Sequence, residues 1–62
     1  MKRRELVKHI TEQGCVLLRE GGKYSIFQNP VTGKETPVTR HTEIVDFTVR
    51  KICRDLSIDP PR

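Results

Sequence analysis

This sequence has no tryptophan, one tyrosine and two phenylalanines in 62 residues. It also lacks any long apolar run. The longest, Cys15 to Leu18, falls far short of the ~20 residues that span a bilayer. The opening MKRRELVKHI carries charge but no continuous apolar stretch, so it does not read as a signal peptide. A cytoplasmic protein with no membrane partner is expected. Cysteine is scarce too. Cys15 and Cys53 are too few for a disulfide scaffold, and no CxxC or HxxxH spacing is present. His9, Cys15, His41 and Cys53 have no finger-like spacing, so no metal site is expected. The two thiols read as reduced, buried small hydrophobes. A chain this short buries only about 60% of the surface that its unfolded form exposes. That limits it to one domain, residues 1–62, with a small core and no elaborate catalytic scaffold.

Charge is plentiful. Twelve Lys and Arg against eight Asp and Glu leave a net charge of +4. The excess favours an anionic partner modestly, since solubility alone accounts for such a balance in many small proteins.

The pattern along the chain alternates between two periods. Lys2 to Gln13 has Leu6, Val7 and Ile10 on one helical stripe, and Gly14 suits the left-handed residue that ends a helix. Cys15 to Glu20 reads as a strand. Gly21-Gly22 reads as a hairpin turn using positive φ, and Lys23 to Gln28 as the returning strand. Asn29-Pro30-Val31-Thr32-Gly33 is a second turn. Lys34 to Thr39 is a third strand, and Pro37 within it marks an edge or a bulge. Arg40 to Glu43 leads into a helix running to about Leu56, with Val45, Val49, Ile52 and Leu56 on its apolar stripe and Ile44 and Phe47 beside it. Thr42 and Asp46 are both candidate N-caps. Asp59 to Arg62 shows no fold signal. His9 reads as an exposed helix residue.

The order α-β-β-β-α predicts an α+β fold. Its three-stranded antiparallel sheet would carry two helices on one face, a two-layer sandwich like the double-stranded RNA-binding domain. Leu6, Ile10, Val16, Leu18, Ile26, Val38, Val49, Ile52 and Leu56 are the expected core.

An ordered set of short motifs carries a resemblance. It comprises the basic first helix ending at Gly14-Cys15, then Leu18-Arg19-Glu20-Gly21-Gly22-Lys23, Asn29-Pro30 and Gly33. It continues through Thr36-Pro37-Val38-Thr39-Arg40-His41, Glu43-Ile44 and Arg50-Lys51-Ile52-Cys53-Arg54-Asp55-Leu56. At this length and spacing the chain resembles the HicA toxins, small mRNA interferases of bacterial toxin–antitoxin pairs. The resemblance implies a metal-independent endoribonuclease without a cofactor, an mRNA substrate, and a HicB-like antitoxin that covers the site. It also implies a catalytic histidine just after the glycine turn. Tyr24 stands at that position here.

The departure bears on the chemistry. Metal-free RNA cleavage needs a base for the 2′-OH proton and an acid for the leaving 5′ oxygen. Imidazole, with an ordinary pKa of about 6.5, does either near neutrality. A phenol, at about 10, is a poor base there. Tyr24 is therefore the candidate site residue at the catalytic position, with His41 a substitute acid or base. Lys23, Arg40, Arg50, Lys51, Arg54, Arg3 and Arg4 are candidate phosphate contacts, because RNA is held largely through backbone charge. The glycine pair is a hairpin first and a phosphate cradle second. Two other functions compete: a non-catalytic protein- or RNA-interaction module, and a DNA-binding regulator. The latter is disfavoured because the whole sheet separates the two helices, leaving no helix-turn-helix.

Overall fold

A computed structural model describes residues 1–61. Arg62, the end of the tail without fold signal, lies outside the described residues. The elements are α1 (Arg3–Glu12), β1 (Val16–Glu20), β2 (Tyr24–Gln28), β3 (Glu35–Thr39) and α2 (Asp46–Asp55). The expected order is present, with each strand starting one residue later than its sequence pattern.

Both helices end in the same way. After α1, the Gly14 N–H donates to the Thr11 carbonyl and the Cys15 N–H to the Ile10 carbonyl, with Gly14 at φ +94. This is a Schellman ending, in which a left-handed residue turns the chain so that orphan carbonyls are satisfied. After α2, the Ser57 N–H reaches the Arg54 carbonyl and the Ile58 N–H the Cys53 carbonyl. The left-handed residue there is Ser57, at φ 58. A side chain in that conformation costs about 1–2 kcal/mol, and glycine loses about 0.4–1 kcal/mol more to unfolded-state entropy. The first effect wins, so Ser57→Gly is expected to stabilise the fold by about 0.5–1 kcal/mol, read as a raised urea midpoint. The start of α2 differs from expectation. Neither Thr42 nor Asp46 caps it. Val45 holds the N-cap position without a side-chain hydrogen bond, and Asp46 is a first-turn acid, which suits the positive end of the helix dipole.

The sheet runs β1-β2-β3, all antiparallel. β3 is an edge strand, as Pro37 required. The bulge lies instead in β1, between Leu17 and Arg19. The glycine pair also behaves differently from expectation, because neither Gly21 nor Gly22 has positive φ. Gly21 is needed for close approach: a Cβ there would sit 3.1 Å from the Tyr24 carbonyl oxygen, which accepts the Gly21 N–H.

Facing residues of an antiparallel ladder share a face. Leu17 faces Phe27, Glu20 faces Ser25, and Ser25 faces Val38. Ser25, Phe27, Thr36 and Val38 are buried under the helices. Tyr24, Ile26 and Gln28, facing Thr39, Pro37 and Glu35, form the other face. Leu6, Ile10, Cys15, Phe27, Val38, Ile44, Val49, Ile52, Cys53 and Leu56 make one core cluster. Three expected core residues are corrected. Val16 is 48% exposed because it faces Gln28 on the open side of the sheet, and Leu18, 43% exposed, lies at the bulge where the β1 register breaks. Ile26 is only partly buried, because Phe27 and not Ile26 faces the helices. Phe47, read as flanking the α2 stripe, is 78% exposed. Both cysteines are buried and free, and burial pushes both thiols upward, as expected for core fillers. Asn29 joins the layers: its Nδ2 donates to the Leu56 carbonyl at 2.8 Å, and its Oδ1 accepts the Val31 N–H at 3.0 Å.

Candidate functional site

The hairpin returns the chain from Glu20 to Tyr24, and the β2–β3 ladder sets Tyr24 opposite Thr39. The residues after β3 therefore emerge beside Tyr24. Gly22, Lys23, Tyr24, Thr39, Arg40 and His41 line one open depression at this end of the sheet. The pairing thus joins Lys23, Tyr24, Arg40 and His41, which are dispersed in the chain as two pairs. Tyr24 is half exposed on the face away from the helices. Arg40 also borders a second depression, lined with Lys2, Arg3, Arg4 and Thr42. Arg40 is the shared wall, so a continuous basic surface links the start of α1 to Tyr24.

A hydrogen-bond chain underlies this surface. Arg3 Nε donates to the Thr39 carbonyl at 2.8 Å, and an Arg3 terminal nitrogen to Ser25 Oγ at 3.0 Å. Ser25 Oγ donates to Glu20 Oε1 at 3.1 Å. Arg40 donates to Glu20 Oε2 and, at 2.9 Å, to the Gly21 carbonyl. The hydrogen bond from Arg40, then the one from Ser25, hold the Glu20 carboxyl below its usual range. Glu20 therefore stays ionised and fixes one side of the Arg40 guanidinium. Its fork still has donors for a phosphate, since guanidinium carries five N–H groups. Arg3 is anchored to the sheet from α1, whereas Arg4 is exposed.

The remaining candidates lie elsewhere. Arg50 borders a separate depression with Glu5, Asp46, Pro60 and Pro61. Lys51 is paired with Asp55 at 3.0 Å, and its hydrogen bond is the main cause of the lowered Asp55 carboxyl. Arg54 is exposed on α2. These three are not brought to Tyr24. His9 is half-buried, with Nε2 at 2.7 Å from the Asp59 carbonyl oxygen. Sequence reasoning missed Glu20 and Ser25, read only as strand residues. The available signal was their place on either side of the glycine turn, which pairs them.

The match to known families decides the kinship. The family model described as the HicA toxin of bacterial toxin–antitoxin systems matches residues 3–58. This chain belongs to the HicA toxin family. The matched span runs from the first residue of α1 through the Schellman turn after α2, so it includes the whole sheet and every residue lining the depression at Tyr24. A HicA toxin works in a pair, and an antitoxin is therefore its partner. Among curated proteins and among solved structures, no match was found. No helix among the described residues is long and apolar enough to cross a membrane.

Proposed function

We propose that this toxin acts on RNA, gripping the phosphate backbone at the Tyr24 end of its sheet. The observation that carries the reading is the gathering of Lys23, Tyr24, Arg40 and His41 around one depression, continuous through Arg40 with a second lined by Lys2, Arg3 and Arg4. Lys23, Arg40 and Arg4 meet phosphates, and Arg3 holds the floor. The Tyr24 ring stacks on a base or its hydroxyl donates to a phosphate. The reaction is attack of the 2′ oxygen on the adjacent phosphorus. The 2′-OH gives its proton to a base, and the leaving 5′ oxygen receives one from an acid. His41 is the imidazole at the depression, and Tyr24 occupies the position of the family's histidine. One imidazole serves only one of the two proton transfers well, so this chain binds RNA and cleaves it slowly. An mRNA in the cytoplasm is the target, and the antitoxin is HicB-like.

A titration with a single-stranded RNA tests this. With about three phosphates neutralised, log K falls against log salt with a slope of roughly −2. Arg4→Ala or Arg40→Ala makes the slope shallower by about 0.7. Absence of binding, or binding indifferent to salt, removes RNA as the target and leaves a protein-interaction module.

A further inference from the structure

We propose that the outer stripe of α2, Phe47 with Arg50 and Arg54, is the docking surface for an acidic amphipathic segment of the antitoxin. Residues three, four and seven apart on a helix share a face. Arg50, Lys51 and Arg54 stand at those spacings from Phe47, opposite the face that buries Val49, Ile52 and Cys53. The stripe therefore carries a ring that is 78% exposed, amid three cations. Lys51 is occupied by Asp55. Among the described residues, neither Arg50 nor Arg54 makes an ion pair.

An aromatic anchor flanked by arginines is the composition enriched at the centres of protein interfaces. The cations select a partner with carboxylates on both sides of an apolar run, and the ring selects a pocket. RNA is the poorer occupant. A convex helix offers it a single ring for stacking. The antitoxin is the occupant because membership of the family gives this chain one such partner. The inference rests on that membership and not on the RNA reading. The stripe and Tyr24 lie on opposite sides of the two-layer fold. Contact at α2 is therefore additional to any cover over the depression.

The test measures affinity of the toxin for its antitoxin, by calorimetry. Phe47→Ala is expected to weaken binding by about thirtyfold or more, while Val31→Ala, in the exposed turn between β2 and β3, changes it less than about threefold. Because Phe47 is exposed, circular dichroism of that variant is expected to match the parent. Arg50→Glu with Arg54→Glu weakens binding further, and Glu→Lys changes in the partner segment restore it. Affinity unchanged by Phe47→Ala overturns the proposal. So does loss of RNA binding without loss of antitoxin binding in that variant, which would make the stripe a nucleic-acid contact.

Discussion

Tyr24→His is expected to raise the rate of RNA cleavage in the presence of chelator by about 10²–10⁴-fold, the usual contribution of a positioned general acid or base. Position 24 is half exposed at the depression that Lys23, Arg40 and His41 also line. An imidazole there would stand with His41 in one site. One ring would take the 2′-OH proton while the other protonates the 5′ oxygen. The substitution lies on an exposed site away from the core, where changes usually stay within about ±0.5 kcal/mol of stability. A gain in rate is therefore a gain in chemistry and not in folding. The restored enzyme should gain a pH dependence that the tyrosine form lacks. Adding His41→Ala should remove most of the gain. Equal rates in the tyrosine and histidine forms would take position 24 out of the mechanism. An RNA affinity that survives Tyr24→His with no new cleavage would leave the toxin a binder alone.

The sequence revealed element order well because each element is signalled locally. Leu6 and Ile10, or Val49, Ile52 and Leu56, recur at helical spacing, and Gly14 and Asn29-Pro30 punctuate the chain. Which face of β2 turns inward was not legible. Tyr24 and Ile26 make a more apolar row than Ser25 and Phe27, and alternation carries no information about where the helices will lie. The choice is made by contacts distant in sequence: Arg3 to Ser25 across 22 positions, and Ser25 to Glu20 across the hairpin. Those bonds satisfy a serine that would otherwise be a costly buried hydroxyl. Val16 and Leu18 misled for a related reason. Apolar content resembles core content, but Val16 faces Gln28 on the open side of the sheet and Leu18 lies at the β1 bulge. The candidate site was half legible. Tyr24 and Lys23 follow the glycine turn, and Arg40 and His41 follow β3, yet only the β2–β3 register joins the pairs. Glu20 was silent because a carboxylate at a strand end is ordinary until its arginine is known.

The two faces of β2 predict a sharp stability contrast between adjacent residues. Phe27→Ala is expected to cost about 3–5 kcal/mol, as for other buried phenylalanines. Phe27 belongs to the cluster with Leu6, Ile10 and Ile52, so its removal opens a cavity between the layers. The neighbouring Ile26→Ala should cost only about 1 kcal/mol, since that side chain points to the open face across from Pro37 and keeps part of its surface in water. At about 0.05–0.15 kcal/mol per residue, a chain this small holds roughly 3–9 kcal/mol in all. Phe27→Ala therefore removes a third or more of the stability and, at the lower end of that range, unfolds the protein. Urea denaturation followed by circular dichroism measures both variants. The Phe27 variant should show a lost or strongly lowered midpoint, and the Ile26 variant a small shift with an unchanged slope. If the order were reversed, Ile26 would face the helices, Ser25 would lose its place beside Arg3, and the chain from Arg3 to Arg40 beneath Tyr24 could not form.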